Sequence, residues 1–142
     1  MHKLEELFLL DTHVWVWLAN GDMKISSPKF LNLIQQKAED SCLRISIISI
    51  WEIGMLEAKG RIVFPYSCLE WTQRALRAPG LSLVPMTPEI AIESSRLPGD
   101  FHGDPVDRII VATARSLGAV LVTQDSSILA YSKKHSLKTL TI

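Results

Sequence analysis

Five acidic side chains stand in stretches that are otherwise apolar. Asp11 directly follows Leu7-Phe8-Leu9-Leu10, and Asp125 lies just beyond Ala119-Val120-Leu121-Val122-Thr123. Asp104 and Asp107 flank the start of a helical pattern, Val106, Ile109, Ile110, Ala114 and Leu117, that Gly118 closes. Glu52 sits inside IISIWEIGML as the one charged residue between Arg44 and Glu57. Carboxylates that emerge together from a hydrophobic framework need protons or cations to offset their repulsion. Oxygen-only ligands select hard cations, Mg²⁺ or Mn²⁺, over zinc. Such a cluster, with no fixed histidine or cysteine partner, fits metal-assisted phosphodiester chemistry.

Each aspartate also has a purely structural reading. Asp11 and Asp104 are good helix N-caps, Asp107 suits the positive first turn of a helix, and Asp125 before Ser126-Ser127 is a plausible turn residue. Glu52 has no such role. Its neighbours three and four residues away on a helix are Ile48, Ser49, Met55 and Leu56. An unpaired carboxylate on that face costs several kcal/mol, on the order of the burial penalty for ions. Asp107 heads the stripe Asp107, Ile110, Ala114 and Leu117, which is expected to face inward. His13 and His102 lie beside acids and read first as loop or surface residues; His2 and His135 lie near the termini.

The elements that must position these acids alternate in type. Strands are expected at Leu7–Leu10, Leu43–Ser46, Leu81–Val84, Ala119–Thr123 and Lys138–Ile142. Helices are expected at His13–Ala19, Lys29–Glu39, Ile47–Lys59, Ser67–Ala78, Pro88–Leu97, the stretch from Pro105 to Leu117, and Ser126–Lys134. Alternating strands and helices imply an α/β sandwich on a mostly parallel sheet. Ligands of such sheets bind at the carboxyl ends of strands, where strand order reverses. Asp11 and Asp125 both stand at strand ends. If those two strands are neighbours, backbone geometry alone brings two carboxylates to one crevice.

At 142 residues, with 47% hydrophobic and 21% charged residues, one domain over 1–142 with a substantial core is expected. Fifteen basic residues balance fifteen acidic ones, which removes the simple case for a strongly basic nucleic-acid binder. Cys42 and Cys68 lack metal-ligand spacing and are expected to be buried thiols. No apolar run reaches membrane-span length, and the four-residue apolar core near the start is too short for a signal peptide, so a cytoplasmic protein is expected. There is no GxSxG, Walker loop or GxGxxG to support acyl transfer, nucleotide cradling or dinucleotide binding.

Asp11 after LFLL, Glu52 in ISIISIWEIGML, Asp107 in DPVDRIIVATA and Asp125 in GAVLVTQD together resemble a PIN domain. More narrowly, LLDTHVWVWLA and LPGDFHGDPVDRIIVATARSLGAVLVTQD resemble the VapC-type toxins of bacterial toxin–antitoxin pairs. The likeness covers nearly the whole chain, in order. It implies a three-layer α/β/α sandwich with a five-stranded parallel sheet ordered 3-2-1-4-5. It further implies a Mg²⁺- or Mn²⁺-dependent ribonuclease acting on RNA, a homodimer, and a cognate antitoxin whose C-terminal segment covers the active site. Asp11, Glu52, Asp107 and Asp125 match the family's acidic quartet. Asp104 belongs to a GDPxD variant and is either an auxiliary metal ligand or the helix cap. Thr12 and Thr123 flank quartet members and are placed to orient a carboxylate or water, or simply to end strands.

Receiver domains and haloacid-dehalogenase-like phosphatases also gather acids at strand ends. The first would show paired acids after strand one and a mid-chain phosphoacceptor Asp, the second a DxDx; this chain has the single Asp11-Thr12-His13. The alternative from another class is a non-catalytic RNA- or protein-binding module that keeps the fold, and a missing acid would favour it. Trp15, Trp17, Trp51 and Trp71 read as core residues, with some available to anchor an antitoxin or a dimer. Lys59, Arg61, Arg74, Arg77, Arg108, Lys133 and Lys134 are the candidates for a basic rim.

Overall fold

The computed structural model describes residues 6–142; His2 lies outside the described residues. The first apolar run becomes strand β1 (Phe8–Leu10), buried at every position. Helix α1 (Thr12–Asn20) begins one residue after it and stops at Gly21. Ser27 caps α2 (Pro28–Glu39), whose proline takes the first turn, where no N–H is needed. Strand β2 (Leu43–Ser46) passes without a loop into α3 (Ile47–Ala58), the Ser46 hydroxyl accepting from the Ile48 N–H at 3.1 Å. Then follow α4 (Cys68–Ala75), β3 (Leu81–Val84), α5 (Pro88–Ser94), α6 (Pro105–Leu117), β4 (Val120–Val122), α7 (Ser126–Ser132) and β5 (Lys138–Leu140).

All pairings are parallel and the order is β3-β2-β1-β4-β5, the expected topology. Alternation along the strands divides the core between the two faces of the sheet. Phe8 and Leu10 join Val14, Trp15, Phe30, Ile53 and Trp71, so one face is covered by α1 to α4. Leu9 and Leu121 join Ile90, Ile110, Val111 and Ile128 on the other, under α5, α6 and α7. The central strands are hydrophobic on both faces, as strands between two helical layers must be.

Elements fall where expected, and the differences lie at their ends. Helix α5 stops at Ser94 rather than Leu97. There the Ser94 and Ser95 hydroxyls donate to the carbonyls of Ala91 and Ile92, and Pro98 follows. Helix α4 ends at Ala75, and Ala78-Pro79-Gly80 turns directly into β3. Cys42 is buried, whereas Cys68 is only half-buried. Trp15 and Trp71 are buried and meet edge-on, centroids 5.1 Å apart; Trp51 is 57% exposed. Among the described residues no helix is long and apolar enough to cross a membrane.

Candidate active site

Strand order reverses between β1 and β4, and the two strands are stitched together at their carboxyl ends. The Asp11 N–H donates to the Val122 carbonyl at 2.9 Å. The Thr123 hydroxyl donates to Asp11 Oδ2 at 2.6 Å, while the Thr12 N–H donates to Asp11 Oδ1 at 2.8 Å. Asp11 is therefore both the cap of α1 and a cross-strand tie, buried between its partners. Thr123 also accepts from the Asp125 N–H at 3.0 Å, which fixes the turn that carries Asp125.

Asp104 and Asp125 are caps as well. Asp104 Oδ1 accepts from the Asp107 N–H at 2.8 Å, and Asp125 Oδ1 accepts from the Ile128 N–H at 3.0 Å. In both, the cap occupies one carboxylate oxygen and leaves Oδ2 outside these bonds. Asp107 stands in the first turn of α6. Its Cβ is packed so closely against Gly103 that a methyl group there would stand 3.0 Å from it and would force the buried Phe101 ring to shift.

Glu52 arrives from the opposite helical layer. The Thr12 hydroxyl donates to Ser49 Oγ at 2.8 Å, which ties the start of α1 to α3 one turn before Glu52. Ser49 is fully buried, so this tie lies beneath the site.

The result is one cleft of about 480 Å³ lined by Asp11, Glu52, Asp104, Asp107 and Asp125, with His13, Trp17 and Gln124 on its walls. All five predicted acids are brought to it; His102 is not. Burial pushes the Asp107 carboxyl up to about 7, with Asp104, Asp125, Asp11 and Glu52 adding repulsion in that order. Burial likewise raises Asp11, against the hydrogen bonds from Thr123 and Thr12 that stabilise its charge. Glu52 is raised mainly by desolvation, with Asp11 and Asp104 contributing and Thr12 and His13 opposing. Four negative neighbours around a half-buried fifth form an arrangement that a cation relieves.

Among the described residues, no group of three or more His, Cys, Asp or Glu is set as a finished metal cage. The donor set nevertheless fits a hard cation. It is all oxygen, two of its members have an uncapped oxygen, and burial with four neighbouring acids raises Asp107 to about 7, a repulsion that positive charge would relieve.

Sequence reasoning missed three features of the site. Ser49 was legible only as the residue one turn before Glu52, Gln124 only as the neighbour of Asp125, and Trp17 had been read as core or partner anchor. Arg108, expected on a basic rim, instead braces the loop before α6. Its Nε donates to the Ser94 carbonyl and its Nη1 to the Phe101 carbonyl, at 2.8 and 2.7 Å.

The sequence matches the PIN domain family over residues 8–134. Among characterised proteins it is 34% identical over 119 residues to ribonuclease VapC22 of Mycobacterium tuberculosis, spanning 82% of this chain and 85% of that protein. Among solved structures, VapBC2 from Rickettsia felis bound to a DNA fragment from their promoter superposes with a TM-score of 0.69 at 16% identity, covering 95% of this chain and 98% of that one. DNA-bound VapBC from Salmonella typhimurium gives 0.68 at 17%, covering 96% and 98%.

Proposed function

Since the chain belongs to the PIN-domain family, in its VapC branch, we propose that it is a divalent-metal-dependent ribonuclease and the toxin of a toxin–antitoxin pair. The observation that carries the proposal is Asp107, encircled by four other acids in an open cleft at the point where strand order reverses.

Asp11, Glu52, Asp104, Asp107 and Asp125 are the residues that would hold Mg²⁺ or Mn²⁺. Once bound, the cation supplies positive charge against the phosphate and lowers the pKa of the attacking water. The protein's own residues do the rest. Thr123 and the Thr12 N–H fix Asp11 so that its carboxylate cannot swing away. The caps hold Asp104 and Asp125 by one oxygen and leave the second of each outside these bonds, in residues that line the cleft. Without a cation, burial and the neighbouring acids hold the Asp107 proton up to about 7. Cation loading and loss of the Asp107 proton are therefore linked.

Solved structures that share the fold include VapBC2 and VapBC, each bound to DNA, which supports a cognate antitoxin as protein partner; a homodimer is part of the same proposal. A non-catalytic module is the reading to beat, and cleavage separates the two. Purified protein is expected to cut single-stranded RNA with Mg²⁺ or Mn²⁺ and to stop in EDTA. Undiminished cutting in chelator, by protein free of contaminating nuclease, would overturn the metal mechanism; no cutting with any divalent ion would favour the binding module.

A further inference from the structure

Five of the fifteen acidic residues line the cleft, so the rest of the chain carries five more basic than acidic side chains. Part of that excess is concentrated in one place. Just past α7, Lys133, Lys134 and His135 follow one another, and Arg115 of α6 lines the same open hollow of about 410 Å³. Arg115 is held there by its Nη1, which donates to the Ser136 carbonyl at 2.9 Å. None of the ion pairs among the described residues involves Arg115, Lys133 or Lys134. One lysine at a helix C-terminus is accounted for by the helix dipole. Two lysines and an arginine, without an acid in ion-pair contact, form a surface for a polyanion.

A second hollow of about 240 Å³ shares Lys134 and His135 with this surface and runs beside α7 toward the cleft. Lys134 and His135 line one end of it, Ser127 and His102 the other, and Asp100 is its one acid. Ser127 lies two residues beyond Asp125 and His102 two before Asp104, both of which line the cleft. The groove thus follows α7, and nine residues from Asp125 to Lys134 span roughly 13 Å at a helix's 1.5 Å per residue. Its walls are fixed. The Tyr131 hydroxyl donates to the Pro98 carbonyl at 2.7 Å, and the Tyr131 ring stacks on His135, centroids 4.5 Å apart. Gly99 passes so near His135 that a Cβ there would collide with the ring.

We infer that the groove along α7 carries the strand of RNA that flanks the scissile bond, with Lys133, Lys134 and Arg115 pairing to its backbone phosphates. The inference rests on the ribonuclease reading and specifies how substrate is held. The five acids of the cleft repel a polyanion beyond the one phosphate that a cation would meet, so phosphates bound outside it add to substrate affinity. A groove between one loop and one helix admits a single strand. An acidic peptide would gain the same lysines but would meet Asp100 in the groove and the cleft acids Asp104 and Asp125 beyond its far end.

The test is binding of fluorescently labelled single-stranded RNA, a dodecamer and a trinucleotide, to protein carrying Asp107→Asn to prevent cleavage. Affinity is measured across a salt series with and without the added pair Lys133→Ala and Lys134→Ala. Loss of two single-strand phosphate contacts should lower the slope of log affinity against log salt by about 1.4, at about 0.7 per contact. The trinucleotide should be unaffected, and the pair Lys133→Arg and Lys134→Arg should keep the dodecamer slope. An unchanged dodecamer slope, or equal loss for both lengths, would overturn the inference. Loss of binding to an acidic peptide with RNA binding intact would also overturn it, assigning the surface to a protein partner. Cleavage by the unaltered protein is scored separately: binding along the groove without any cleavage would sink the ribonuclease reading and leave the groove standing.

Discussion

Replacing Asp107 by Asn should stabilise the cation-free protein at neutral and alkaline pH and flatten its pH dependence. In the folded chain Asp107 holds its proton up to about 7, against an ordinary value of 3.8. Between those limits the folded state binds more protons than the unfolded chain, so this group makes stability fall as pH rises from about 4 to about 7, with the full cost present above 7. Three units at 1.36 kcal/mol each would be about 4 kcal/mol. The carboxylate is only half-buried, however, and solvent screening reduces this to about 1–2 kcal/mol. Asparagine forgoes the attraction between a carboxylate and the helix N-terminus, about 0.3–1 kcal/mol. The net gain is about 1 kcal/mol near pH 8, or about 3 °C in Tm for a chain of this size. At pH 5, about one unit above the unfolded value, roughly a third of that gain should remain, and below about pH 4, where Asp107 is protonated in the folded and unfolded chain alike, it should vanish. The assay is a thermal or urea melt of both proteins in chelator at pH 5, 6, 7 and 8. Adding Mn²⁺ should then reverse the order at pH 8. The unaltered protein gains about 2.7 kcal/mol at a hundred times the dissociation constant, and the variant gains less. A variant less stable than its parent at pH 8 in chelator, with the same pH slope, would refute the claim that the cleft's acids repel one another.

Two further outcomes follow from the same geometry. Thr123→Val, which keeps the shape but removes the donor to Asp11 and the acceptor for the Asp125 N–H, should cost about 1–3 kcal/mol in a urea melt because a buried carboxylate loses its partner, and cleavage should fall with it; a neutral effect on both would show that this tie does not hold the site. Expression without an antitoxin should arrest growth of a bacterial host, and Asp107→Asn should relieve the arrest while folded protein accumulates; an equally toxic, folded variant would separate toxicity from the cleft.

The fold was legible because each of its elements is marked locally. The strand order was not legible from pattern and came from the family likeness, since a three-residue strand such as Phe8–Leu10 carries no information about its neighbours. The aspartates posed a different problem. From sequence, a cation ligand competes with a helix cap for Asp11 and Asp104 and with a turn residue for Asp125. In the structure each is a cap, and each also lines the cleft. The two roles support one another, because a cap fixes one oxygen of a carboxylate against a helix N-terminus and so aims the other. Three helices that start at the same edge of a parallel sheet therefore deliver three oriented acids to one crevice, Asp104 and Asp125 by their caps alone and Asp11 with the Thr123 hydroxyl on its second oxygen. Glu52, which caps nothing, needed a separate device. It is supplied by Thr12 and Ser49, whose hydroxyls join α1 to α3 across the floor of the site. That contact spans 37 residues of sequence between two residue types common at any helix start. No periodicity announces it, which is why the acids could be read from the chain but the bond between two of their supporting helices could not.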